Sequence, residues 1–275
     1  MTDEERTQKH LYRCNRCLPR PEVLSEIMDI ERRSVIARAH DIERTAPRFA
    51  SRQELLAALE ELLHREAAEQ PEYDRFLAHE ATREQFSLVV SEFAVDGLVE
   101  SQAHLPIIPR LPPKTRMAVF RVLIDEFGCG NSEQEHSQLY RDLLTELGMP
   151  TDLDHYIEIV SEPSLAYVNL FSWLAARAPA EEYFLGAYAY FESSVLSAFQ
   201  SFATAAERLG IHNRRYYTEH LYIDSFHSRQ MLEAIKALED ERPINLAKIW
   251  TGVLLTSATV AEATEAAVTK ARNSA

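Results

Sequence analysis

The stretch Tyr183-Phe-Leu-Gly-Ala-Tyr-Ala-Tyr-Phe-Glu-Ser-Ser-Val-Leu-Ser-Ala-Phe199 decides the fold. With Phe202 just beyond it, its apolar side chains cover nearly the whole circumference of a helix spanning residues 180–209. A helix apolar on all sides belongs in the centre of a bundle. Glu192 is set into that surface, where an unpaired carboxylate would cost several kcal/mol. It therefore needs a partner: an arginine, a hydroxyl or a metal.

Outward from this helix the punctuation is helical throughout. Residues 164–177, 213–240 and 244–272 read as its neighbours, and 150–163 as a short helical turn and linker. Upstream, Pro21 opens an amphipathic helix running to about residue 44, and Ser51 with Glu54 forms a capping box before a second. Residues 82–104 form a long pattern broken at Gly97 and closed by a proline-rich connecting loop over 105–113. A helix over 114–127 ends at Gly128-Cys-Gly-Asn131, and Ser132 with Glu135 caps the next, which ends at Gly148. Residues 1–20 read as a flexible N-terminal arm, including the C-x-x-C of Cys14 and Cys17, and residues 21–275 as a single helical domain.

Composition agrees. Only 7 of 275 residues are glycine while Ala, Leu and Glu abound, so local propensity favours helix and the chain is expected to be all-α. The formal charge of -14 opposes binding to nucleic acid or an anionic membrane surface. No apolar run is long enough to span a bilayer, and three cysteines do not make a disulfide scaffold, so a cytoplasmic protein is expected.

Chemistry enters with His220-Leu-Tyr-Ile-Asp224-Ser-Phe-His227. Residues at i, i+4 and i+7 fall within about 60° of one another on a helix, so one face offers two imidazoles and a carboxylate. That set suits iron, manganese or zinc. Glu126 ends one apolar helix and His136 begins the next; an acid at a helix C-terminus opposes the dipole and hints at a nearby cation. Bundles that hold two iron or manganese ions use such inward carboxylates and histidines from several helices.

The order Asp125-Glu126-Phe-Gly-Cys-Gly, His136-x-x-Leu139-Tyr140, Glu192 and His220-x-x-x-Asp224-x-x-His227 resembles the haem-oxygenase-like di-iron oxidases over about residues 92–240. The resemblance implies a haem-oxygenase-like seven-helix bundle, here with extra N-terminal helices. It also implies two iron ions with dioxygen as co-substrate, Glu126 and His136 on the third core helix, and Glu192 bridging or binding between the irons. The long Glu126–His136 spacing is similar to that of the family's N-oxygenases, which carry a further carboxylate ligand. Glu100, 26 residues before Glu126, is the candidate by spacing, with Glu92 and Asp96 on a similar face.

By that resemblance the expected activity is oxygenation of an amine or amino-acid-derived nitrogen, in specialised metabolism. The alternatives are a di-iron desaturase or C–C lyase, and a metal-free thiaminase-type or quinone-cofactor-type enzyme or binding scaffold. An external electron donor and a homodimer are compatible with the family. Arg215 and Arg229, with Arg214 beside them, are candidates for holding a substrate carboxylate, and Tyr188 and Tyr222 for lining its pocket.

Overall fold

The structure is a computed structural model that describes residues 5–18, 20–69 and 72–274. Among these residues there are helices and no strands. Seven helices make the bundle: α6 (Arg83–Gly97), α7 (Pro113–Glu126), α8 (His136–Glu146), α10 (Glu162–Ala176), α11 (Glu181–Arg208), α12 (Arg215–Glu241) and α13 (Leu246–Asn273). The short α9 (Leu153–Ile159) links α8 to α10. Before them lie α1 (Glu5–Asn15), α2 (Pro21–Glu31), α3 (Ala37–Thr45), α4 (Arg52–Glu69) and α5 (Glu72–Arg75).

The all-round apolar α11 occupies the centre, packed between α12 and α13. The α11–α13 crossing is a backbone contact. A Cβ on Gly186 would fall 1.8 Å from the Ile249 carbonyl oxygen, and one on Gly252 would fall 2.0 Å from that of Tyr183. Two of the chain's few glycines thus bring the two longest helices together, as no larger residue permits.

Helix ends are satisfied by long side chains reaching across the bundle. Arg110 donates to the carbonyls of Leu174, Ala175 and Ala178 at the end of α10, and Arg208 to those of Leu77, Ala78 and Ala81. Glu92, fully buried in α6, accepts from the Ser161 amide and hydroxyl, the Ser164 hydroxyl and Lys270. It joins the start of α10 to α13 and is a structural acid, although its helix leads directly into the turn that carries the candidate ligand Glu100.

Three local expectations differ from the structure. The segment read as a flexible arm contains α1, which packs on α10 with Leu11 and Tyr12 buried and the Tyr12 hydroxyl donating to the Val95 carbonyl at 2.6 Å. Residues 1–4 and 19 of that arm lie outside the described residues. Its period was hard to read because its apolar residues are few and meet a partner far along the chain. The proline-rich loop is a 3₁₀ helix, Gln102–Arg110, which tolerates Pro106 and Pro109 and buries His104 and Ile107. Finally, Ser132 does not cap α8. Residues 132–134 form a turn, and the helix begins at His136 with Glu135 at its N-cap.

Candidate metal centre

The face predicted on α12 exists: His220, Asp224 and His227 are all buried and point into the bundle, where Glu192 of α11 meets them. His227 Nδ1 lies 3.2 Å from Asp224 Oδ1, 3.3 Å from Glu192 Oε2 and 3.4 Å from Glu126 Oε1. Yet His227 Nδ1 and both Asp224 oxygens make no hydrogen bond. The donor atoms crowd together without being aimed at one another, as ligands around a common centre are.

A second cluster lies beside the first. His136 Nδ1 is 3.0 Å from His220 Nε2 and 3.0 Å from Glu126 Oε2, and His220 Nε2 is 3.0 Å from Glu100 Oε1. The ligand-capable atoms thus fall into two groups, Glu100–Glu126–His136–His220 and Glu126–Asp224–His227, each with all atoms within 4.8 Å of one another. Glu126 belongs to both and turns one oxygen to each. The resemblance implies that Glu192 bridges or binds between the irons, and that Glu126 and His136 share one helix. Here Glu126 faces both clusters, Glu192 faces only the second, and Glu126 and His136 come from the end of α7 and the start of α8.

The joints that hold these helix ends are strained. Ser101, next to Glu100, and Cys129, in the turn after Glu126, both adopt the left-handed conformation without being glycine, with φ of 62° and 52°. Such backbone costs about 1–3 kcal/mol and persists where the surroundings demand it. Ser101 also turns its hydroxyl to Glu126 Oε2, at 3.3 Å. Gly128 has φ of 59°, and a Cβ there would lie 2.6 Å from the backbone of Gln134 and Glu135. The turn is therefore closed tightly enough to deliver His136 to Glu126.

Hydrogen bonds behind the cluster fix the imidazoles. His220 Nδ1 lies 2.6 Å from the Tyr216 carbonyl, which can only accept, so Nδ1 carries the proton and a neutral His220 presents its Nε2 lone pair to Glu100. A lone pair 3.0 Å from a carboxylate is repulsive unless a proton or a metal lies between them. His227 Nε2 reaches Asp125 Oδ2 at 3.4 Å, leaving Nδ1 for the cluster. Carboxylate or carbonyl support of the distal nitrogen is the usual arrangement behind a metal-bound histidine. The Tyr216 hydroxyl donates to Glu100 Oε1 at 3.2 Å.

Without a metal the groups share out protons. Burial alone lowers the basicity of His220 and His227, but the carboxylates around them win and raise their pKa values to about 10 and about 11; the main contributors are Glu100 for His220 and Asp224 with Glu192 for His227. Burial raises Glu192 to about 7, while Glu126, despite its burial, is held well below the usual carboxylate range by His136. The four carboxylates crowded here are thus offset in part by histidines kept cationic and in part by protonation of Glu192. The fit to a metal pair is good: the donors are carboxylate oxygens and imidazole nitrogens suited to iron, and several are buried with no other partner.

Beside the clusters lies a cavity of about 90 Å³, lined largely by aromatic and aliphatic side chains. Tyr188 lines it as expected, with its hydroxyl unpartnered. The other substrate candidates lie outside. Arg215 is exposed and near Glu219, Arg229 is exposed over the Phe226 ring with its guanidinium on the Ser225 carbonyl, and Arg214 pairs with Glu207. Tyr222 is 67% exposed. All four sit on the outer face of α12 or at its start, because the ligands occupy the inner one.

Three residues that sequence reasoning left without a role also belong to the site, as does Asp96, which it named only for sharing a face with Glu100. Asp125 and Ser101 support ligands; His104, buried with both ring nitrogens unpartnered and stacked on Tyr188 at 4.7 Å, and Asp96, within hydrogen-bond reach of Tyr167 at 3.0 Å, line the cavity. Asp125 had a signal, since it stands beside Glu126 in the quoted motif. His104 was hidden in a segment read as loop.

Comparison with known proteins now decides the family. A family model described as "Iron-containing redox enzyme" matches residues 87–260, more than half of the chain. The chain belongs to that family. It is an iron-dependent oxidoreductase with the haem-oxygenase-like all-α fold, and the matched region runs from α6 into α13, taking in every residue of both clusters. The chain is also 29% identical, over 190 residues, to a nitrosourea synthase of Streptomyces achromogenes subsp. streptozoticus. That alignment covers 66% of this chain and 40% of the relative, so the chain corresponds to less than half of that longer enzyme. Among the described residues no helix is long and apolar enough to cross a membrane.

Proposed function

We propose that the chain is a di-iron oxygenase that activates dioxygen and transfers oxygen to the nitrogen of an amine or amino-acid-derived substrate. The observation that carries this reading is Glu100. Its carboxylate joins His136, His220 and Glu126 in the first cluster, which supports the extra acidic ligand expected of N-oxygenases rather than of desaturases or C–C lyases. The similarity to a nitrosourea synthase points the same way, since a nitrosourea carries oxygen on nitrogen.

One iron would be held by Glu100, His136 and His220, the other by Glu192, Asp224 and His227, with Glu126 between them. The metals would supply Lewis acidity and the electrons that reduce dioxygen. The chain's own residues fix the ligand orientation through Tyr216 and Asp125, exclude water with the aromatic cavity wall, and offer the neutral His104 and Tyr188 to hydrogen-bond what enters. Burial holds His104 neutral by lowering its pKa to about 4. An external electron donor would return the metals to the ferrous state, and the three free cysteines suit a reducing compartment such as the cytoplasm.

The test is anaerobic loading with ferrous iron, exposure to oxygen, and mass spectrometry of products from a panel of amines and amino acids. The expected outcome is two irons per chain and a product that gains oxygen on nitrogen. Glu100→Ala should abolish that product. Desaturated or chain-cleaved products that survive Glu100→Ala would replace this reading with carbon chemistry.

A further inference from the structure

Five carboxylates line the cavity, namely Asp96, Glu100, Glu126, Glu192 and Asp224, and no lysine or arginine is among its lining residues. Two divalent metals would bring four positive charges against these five carboxylates, with the ligating histidines neutral; in the metal-free protein burial raises Glu192, and burial with Glu100 raises Asp96, to about 7, so a cation beside Asp96 would favour its ionised form. Asp96 is the carboxylate left over. It is one helical turn before Glu100 on α6, its oxygens belong to neither ligand cluster, and the contact recorded for it is the Tyr167 hydroxyl at 3.0 Å. A carboxylate facing an apolar cavity with one neutral hydroxyl beside it is poorly compensated. The rest of the lining is largely aromatic, with Phe93, Phe191, Phe199 and Phe202, the surface that best receives a cation on an apolar stem. His104 and Tyr188 add buried polar atoms with no partner in the protein.

The cavity also has a neighbour. A wider groove of about 680 Å³ runs outside it, lined by residues of α4, α5, α11 and α13. Ser194, Ala198, Phe202, Val260 and Thr264 line both spaces, so the partition is one side chain thick and three of its five members are small. The groove carries Glu66, Glu69 and Asp74; its Arg75 is near Glu80, at 3.4 Å. The outer space therefore has the same sign of charge as the inner one, and it concentrates cations at the partition.

We infer that the substrate binds as a small organic cation, an alkylammonium or amidinium group, that enters from this groove past Ala198 and Thr264 and is anchored by Asp96 with Tyr167. The inference deepens the proposed amine oxygenation and rests on it for the presence of two metals. It makes Asp96 a specificity-determining residue and accounts for the absence of lysine and arginine from the cavity lining, Arg215 and Arg229 being exposed on the outer face of α12.

The experiment is isothermal titration of the iron-loaded protein under strictly anaerobic conditions, with butylammonium, butylguanidinium, butyrate and butanol as probes. Either cation should bind, butyrate should not, and butanol should bind at least about tenfold more weakly. Asp96→Asn should weaken the cation by about tenfold or more and leave butanol and the iron content unchanged; Tyr167→Phe should act in the same direction more mildly. Ala198→Phe should slow cation association at unchanged iron content. Butyrate binding as well as the cations, an unchanged cation affinity in both variants, loss of iron in Asp96→Asn, or unaltered association in Ala198→Phe would each overturn the proposal. Because the readout involves no oxygen, cation binding without N-oxygenated product would sink the proposed reaction and leave this inference standing. The reverse result would do the opposite.

Discussion

The two walls of the metal centre are built on different principles. One wall is continuous helix: α12 presents His220, Asp224 and His227 from a single face, and α11 adds Glu192 from mid-helix. The other is assembled from helix ends. Glu100 follows the last turn of α6, Glu126 ends α7 and His136 begins α8, with the left-handed Ser101 and Cys129 at the joints. A continuous helix fixes its ligands by period alone, whereas the ends depend on turns whose shape the rest of the bundle imposes. The first wall should keep its geometry under local damage that disperses the second.

The largest effect expected from breaking this arrangement is at the residue common to both walls. On the proposed di-iron reading, Glu126→Ala should remove both irons and lower activity by more than roughly the 100-fold that follows loss of a supporting partner. Asp224→Ala should release the metal held with His227 and spare the one held with His136. Metal analysis by mass spectrometry beside turnover measurements checks this, and equal loss from both positions in Asp224→Ala would mean that the two clusters do not act as separate sites.

Gly128→Ala probes the weaker wall directly. Its Cβ would meet the Gln134 and Glu135 backbone at 2.6 Å in a left-handed conformation, so a cost of about 1–3 kcal/mol is expected. Iron should be lost first from the Glu100–His136–His220 side, with the thermal midpoint lowered and the α12 side still loaded. Retention of both metals with unchanged stability would show that the turn is not what delivers His136.

Proton release gives the smallest and most quantitative effect. His220 and His227, raised to about 10 and about 11, hold their protons at neutral pH in the metal-free protein and must lose them to bind metal. Binding at pH 7 should therefore release at least about two protons, with Glu192, raised to about 7, adding to them, and affinity should rise from pH 6 to 8. Titration calorimetry in buffers of different ionisation heat reads this directly. The sign for the metal-free fold follows from the raised values. Their stabilisation is complete below the ordinary histidine pKa near 6.5 and is lost as pH climbs through about 10 and 11. Metal-free protein should thus lose stability toward alkaline pH.

Much of this was legible in the chain itself. The apolar circumference of residues 183–202 marked the central helix, and the i, i+4, i+7 spacing of His220, Asp224 and His227 put three polar groups on one face, because helical period is a local property. Glu192 announced itself by its surroundings. What was misread depended on distant contacts. The start of α8 was placed at Ser132 because a capping box is a local signal, and the bundle overrode it with a turn. α1 was missed because its buried side chains are few and their partner is α10, some 150 residues away. Arg215 and Arg229 were chosen for nearness in sequence, but a helix that turns its ligands inward turns its neighbours outward.

By itself, then, the sequence determined an all-helical bundle, the identity of its central helix and the shared face of His220, Asp224 and His227 on α12, since each follows from side-chain period and local propensity. Only the tertiary structure decided that Glu126 faces both clusters, that Glu100 reaches His220, and that Asp96 lines a cavity without lysine or arginine. Those relations join residues dozens of positions apart through helix ends and strained turns. Their geometry is set by how whole helices pack, which no local pattern encodes.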